Sequence, residues 1–287
     1  VLTRLADLAA DGPPKLLVLR ELAPLVRDVG DRAAIAHYEA ILELDPTDED
    51  AINALEADAT ERGDHEALAS LLARRIKLAP SSETRRVLRL RRAAVLEQRL
   101  GRLDEACTEL EALLVEIDDD VSALRFLADL YERLARPLRA APLWLRVSEI
   151  ANAIDDKAEH GLRACRCFLA GGEITAARNV LQTVAPMAPR NAVIELRVEL
   201  ARRSGDGRAL SDALDQLAAT AHESSEKRAQ ILLEAARAAS AIGEEAVALD
   251  RARRAAKLAP SFPDAVLEAQ RLAYLAGGSG TPREAQA

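Results

Sequence analysis

The sequence predicts an all-α protein built from repeated pairs of antiparallel helices, and three observations point there. The first is composition: aromatic residues make up only 2% of the 287, with thirteen Gly, while Ala, Leu, Arg and Glu dominate. Strands want β-branched and aromatic side chains and hairpins want Gly and Asn, whereas those four abundant residues are strong helix formers. The second is punctuation by proline. Asp45-Pro46 and Ala79-Pro80 each close an apolar helical stretch and stand 34 residues apart, and the ending returns as Ala188-Pro189 and Ala259-Pro260. Proline lacks an N–H and disfavours αR in the residue before it, so it ends a helix. The third is a Gly-containing turn midway between such endings, at Gly63-Asp64, Gly101, Gly172-Glu173 and Gly243-Glu244. Glycine takes positive φ cheaply and closes one helix before the next begins.

Taken in order, residues 1–12 read as the last helix of an earlier pair, stopped by Gly12-Pro13-Pro14. Seven units follow, at about 15–48, 49–82, 87–120, 121–154, 158–191, 192–226 and 229–262. Each has apolar residues three and four apart, the pattern of a helix with one buried face. In the fourth, Leu124, Leu127, Ala128 and Tyr131 mark the first helix, and Ala140, Trp144 and Val147 mark the second. The first unit is degenerate, with Gly30 one place late, and in the sixth Gly205 and Pro189 imply registers one residue apart. Short inserts near Ser82 and Ile154 lengthen the helices there. Residues 263–276 form an unpaired closing helix, and 277–287, opening Gly-Gly-Ser-Gly, a flexible tail or linker.

A 34-residue unit with Leu, Ala, Tyr, Gly, Ala and Pro in these slots resembles the tetratricopeptide repeat family. The unit at Ala229 carries Leu232, Ala235, Ala236, Ala239, Gly243, Ala248, Ala252, Ala255 and Pro260, and the likeness covers roughly nine tenths of the chain. It departs at the family's Trp and Gly positions in the first helix, which here are mostly aliphatic or Ala. The resemblance implies a single right-handed α-solenoid over residues 1–276. It also implies that first helices line a concave groove, and that the work is binding segments of other proteins rather than catalysis.

Chemistry is sparse. His37, His65, His160 and His222 fall in four different units, and no metalloprotease, nucleophile-elbow or phosphate-loop motif occurs. No enzyme activity and no cofactor are expected. Cys165-x-Cys167 has no second pair at ligand spacing, and Cys165 sits in a slot reserved for small residues, so packing is its reading. Asp118-Asp119-Asp120 and Asp155-Asp156 read as helix caps. A net charge of −8 argues against nucleic acid as partner, and no apolar run of about eighteen residues exists to span a membrane. The chain opens Val1-Leu2-Thr3-Arg4 without Met or a signal segment and reads as a fragment of something longer, with the cytoplasm as its expected compartment.

The groove carries the sharper expectation. In the family, slots 2, 5, 6, 9, 12 and 13 of each first helix face it. In six units those slots hold ten Arg (Arg20, Arg27, Arg91, Arg92, Arg99, Arg125, Arg133, Arg163, Arg166, Arg237). They hold six acids, Asp50, Glu61, Asp129, Glu132, Glu159 and Glu234, leaving the face near +4. Arg20, Arg92 and Arg163 share slot 6, with Phe126 in that slot between the last two. The expected partner-binding set is Arg20, Arg91, Arg92, Arg125, Phe126, Arg163 and Arg166. The partner is another protein or peptide, an acidic one if the guanidiniums do the binding. Thirty-four Arg against five Lys also leaves room for the plainer view that Arg covers every wet face. Asn53 stands without the Lys residues of the family's carboxylate clamp, so chaperone-tail binding is not expected. The alternative function is a regulatory or sensor module within a larger multidomain bacterial protein, controlling an attached enzyme or transcription factor. Partner identity and oligomeric state are open.

Overall fold

The computed structural model describes residues 12–28 and 33–278. The expected helix at residues 1–12, the Gly30 turn and most of the expected tail lie outside them. Fifteen helices, and no strand, occur among the described residues: α1 Pro13–Asp28, α2 Ala33–Leu44, α3 Glu49–Arg62, α4 His65–Leu78, α5 Ser82–Gln98, α6 Leu103–Glu116, α7 Val121–Arg133, α8 Pro137–Ile150, α9 Ile154–Ala170, α10 Ile174–Val184, α11 Arg190–Ser204, α12 Gly207–Thr220, α13 Ser225–Ala241, α14 Glu245–Leu258 and α15 Pro263–Gly278. Short connections force consecutive helices to fold back on one another. The protein is an all-α array of helix pairs.

Two compact units divide at Leu130 and Tyr131, within α7. In the first, each helix packs on the next from α1 to α6. Its core alternates large and small side chains: Leu19, Leu22 and Ala23 of α1 meet Ala34, Tyr38 and Ile41 of α2, which meet Ala51, Ile52 and Leu55 of α3. In the second unit consecutive helices again pack together, and first helices also touch one another two elements apart, α9 on α11 and α13 on α15. Contacts confined to neighbours are the physical content of a repeat protein, since no single pair covers its own apolar face.

Caps and turns explain where helices begin and end. Asp48, Asp64 and Asp206 accept the N–H three residues on, at 2.8, 3.0 and 3.0 Å. Asp120 does so for Ala123 at 2.7 Å, so the acidic triplet is the cap read from the sequence. Asp155 and Asp156 are not caps. The insert at Ile154 adds a turn upstream, so α9 is capped at Ala153 and both acids stand inside its first turn. There they face the positive end of the helix dipole. The sixth register resolves in the loop: Pro189 itself occupies the position before α11, and Gly205 closes that helix at φ +70°.

The turn inside the fourth pair is the exception to the glycine rule. Gly63, Gly101, Gly172, Gly205 and Gly243 all take positive φ, but the α7–α8 turn places Ala135 there, at φ 53°. A Cβ in the left-handed region costs about 1–2 kcal/mol. Ala135→Gly is therefore expected to raise stability by about 0.5–1 kcal/mol, and Gly172→Ala to lower it by at least as much. Chemical denaturation of the two variants checks both signs.

Candidate functional site

The first helices present the residues expected to meet a partner, and their side chains divide into committed and uncommitted sets. All three slot-6 arginines are committed. Arg20 of α1 donates from Nη2 to Asp45 and from Nε to the cap residue Asp48, each at 2.7 Å. The Asp45 carboxyl is held below its ordinary range, first by the hydroxyl and N–H of Thr47 and then by Arg20. Arg92 of α5 is mostly covered. It pairs with Glu109 of α6 and donates Nε–H to the Ala69 carbonyl of α4 at 3.0 Å. Arg163 of α9 donates to Glu132 at 3.0 Å, with its guanidinium carbon 3.7 Å from the centre of the Trp144 ring. Arg20 and Arg92 thus reach acids of a turn or a second helix, whereas Arg163 reaches Glu132 of another first helix.

Arg91, in slot 5, reaches back to α3 and pairs with Glu56, a buried carboxylate also bonded by Arg75 at 2.6 Å. Arg125 and Arg166 differ. Both are exposed, and neither forms an ion pair or hydrogen bond among the described residues. Arg125 lies beside half-buried Phe126 in an open groove of the first unit, between α7 and α5, lined also by Glu97, Gln98, Val121, Ser122 and Asp129. Arg166 lies on α9 in the second unit. Arg20, Arg91, Arg92, Arg125 and Phe126 thus belong to one compact unit, and Arg163 and Arg166 to the other.

One constellation was not visible as such in the sequence. Trp144, fully buried on α8, stacks on His160 of α9, with ring centroids 5.3 Å apart and planes 11° from parallel. Its indole N–H donates to Glu132, the same carboxylate that takes Arg163. The only sequence signal was the i, i+3 placement of His160 and Arg163, which sets both on one face of α9. Beside them Gly161 lets α9 close on α10, since a Cβ there would stand 2.3 Å from Val184 Cγ1. Removing the indole empties the box and leaves Glu132 and Arg163 facing a void, so Trp144→Ala is expected to cost about 3–5 kcal/mol. Equilibrium unfolding measures it, and a loss near zero refutes the packing.

The cysteines belong to the packing. Cys107, Cys165 and Cys167 are all reduced and buried. Cys165 donates S–H to the Ala177 carbonyl at 3.4 Å, and burial pushes its thiol up to about 11. Cys167 is pushed up to about 12, by burial first and then by the charge and hydrogen bond of Glu132. Thiolate chemistry near neutral pH is absent at such values. Folding raises both from an ordinary value of 9.0, so the stability they contribute is full below pH 9 and fades as pH rises through 11 to 12. The melting temperature is expected to fall across that window, and to fall less in Cys165→Ala with Cys167→Ala. Native protein at pH 8 should resist a thiol reagent until denatured.

Among the described residues no cluster of three His, Cys, Asp or Glu is placed to hold a metal ion, and no helix is long and apolar enough to cross a membrane. The sequence matches no protein-family model and none of the curated proteins. Among solved structures the chain is similar to a tetratricopeptide repeat protein from Parabacteroides merdae, at 15% identity over 90% of this chain and 98% of that one, with a TM-score of 0.36. It is similar also to the TPR2AB domain of yeast Sti1 in its pHSP90 complex, at 15% identity over 90% and 97%, with a TM-score of 0.40. A third likeness is to the APC/C hetero-tetramer Cut9–Hcn1, at 14% identity and a TM-score of 0.33. It covers 96% of this chain but 52% of that one.

Proposed function

We propose that the chain is a scaffold that binds a segment of another protein on the face of its first helices, with acidic side chains of the segment meeting uncommitted arginines. The observation that carries this reading is Arg125 beside Phe126: an exposed guanidinium that bonds to no carboxylate among the described residues, with Glu97 and Asp129 in the same lining, adjoins a half-buried ring in an open groove. Arginine offers a planar fork matched to a carboxylate, and a neighbouring ring supplies apolar contact for the stem that carries it. The groove sits on two regular helices, so little ordering of the scaffold opposes binding. Arg166 offers a second uncommitted guanidinium in the other unit. A net charge of −8 favours protein over nucleic acid as the partner.

Committed and uncommitted arginines respond differently to substitution, which makes the reading testable before any partner is known. Acidic peptides on an array should be retained over neutral and basic peptides of the same length, with less retention as salt rises and screens the charges. Arg125→Gln should abolish that preference and leave the melting temperature unchanged, and Phe126→Ala should weaken retention with a small loss of stability. A preference that survives Arg125→Gln refutes the groove. Arg92→Glu is a different experiment. It sets a carboxylate against Glu109 and strips the Ala69 carbonyl of its donor, so a stability loss of about 2 kcal/mol or more is expected there.

A further inference from the structure

In the second unit, side chains of α14 cross to α12, the second helix one pair earlier. Between α12 and α14 the seam is closed by Arg251, a buried side chain. Its guanidinium donates to the Ser211 hydroxyl and to Asp212 Oδ1 at 2.6 Å, with Asp215 Oδ2 3.8 Å away. Ser211 in turn donates to the Ala235 carbonyl at 2.5 Å. Every partner of that cation is a residue of the chain itself.

One junction earlier α10 contributes a cation, Arg178. The helix that carries it, at 11 residues, is also shorter than any other described. A cleft stays open there, between α10, α11 and α12, walled by Leu200, Ala201, Ala209 and Ala213, with Arg178 and Arg197 in its lining. Both arginines are exposed, and neither forms an ion pair or hydrogen bond among the described residues. The two carboxylates that also line the cleft are already engaged: Asp206 caps α12 through the Ala209 N–H, and Asp212 takes Arg251.

Two uncommitted guanidiniums above an apolar wall match one ligand chemistry, a carboxylate on an aliphatic stem. We propose that this cleft binds such a carboxylate, with Arg178 and Arg197 taking the oxygens and Leu200, Ala201, Ala209 and Ala213 the stem. The source is either a free aliphatic acid or the glutamate side chain of a bound protein. This site is separate from the α5–α7 groove and does not rest on it.

The test is a titration of the whole chain with hexanoate and, separately, with N-acetylglutamate amide, read from the arginine Nε–Hε resonances by NMR. Saturating shifts at Arg178 and Arg197 are expected with at least one of the two acids, and the tighter of them identifies the source. Hexanol, with the same stem and no charge, should leave those resonances unmoved. Arg178→Gln and Arg197→Gln should each weaken binding about tenfold, the loss of one charge-assisted bond. Neither should shift the melting temperature, because neither side chain holds the fold. Shifts that grow linearly with both acids, that survive the double substitution, or that hexanol reproduces would overturn the proposal.

Discussion

Close contact between helices through alanine is the constraint on which the rest of this chain depends. Ala93, Ala106, Ala140, Ala164, Ala177, Ala236, Ala248 and Ala252 have no solvent exposure at all. A larger side chain in any of them would push two backbones apart along the whole length of a pair, and tightly packed interiors do not absorb such volume cheaply. Alanine also loses no side-chain entropy in a helix, so the residue that permits close packing favours the element being packed. Gly161 carries the same logic one step further, at the point where α9 meets Val184 and the Trp144 box forms beside it.

Small residues at the seams leave large polar side chains to bridge them. Arginine does this repeatedly at separations close to the repeat period. Arg86 reaches Asp120, Arg102 reaches Glu66 at 2.6 Å, Arg202 reaches Glu234 at 2.7 Å, and Arg208 reaches Glu244. Several of these pairs are half-exposed and contribute little individually. The covered ones are different: Glu56 holds two guanidiniums, and Arg251 is enclosed by Ser211 and Asp212. Breaking one member there leaves a desolvated charge behind, at a cost of about 3–5 kcal/mol.

The fold was legible because its signals are local. Pro46, Pro80, Gly63, Gly101 and Gly243 act on their own backbone, and the apolar spacing acts within one helix, so all of them can be read without knowing what lies opposite. Ala135 escaped because a helix end took the left-handed conformation without glycine. Asp155 and Asp156 read as caps from the sequence alone because the extra turn at the start of α9, which moves the boundary upstream, leaves no local mark. The site was less legible for a related reason. A count of charges by slot places Arg92 and Arg125 on the same footing, since both stand on the groove side of a first helix. What separates them is Glu109, a residue of a second helix that the count leaves out.

That difference bears on how an arginine-rich face acquires a function. An arginine already bonded to a carboxylate offers a partner only the difference between two similar interactions, so an external acid gains little by displacing the internal one. An uncommitted guanidinium in a cleft with apolar walls gives up water alone, and its charge is then less screened than on an open surface. Charge density therefore locates partners poorly in a chain with 34 Arg, and the absence of a bond to an internal acid locates them better. Arg125 in the α5–α7 groove and Arg178 and Arg197 in the α10–α12 cleft meet that condition, whereas Arg20, Arg92 and Arg163 are held by the fold.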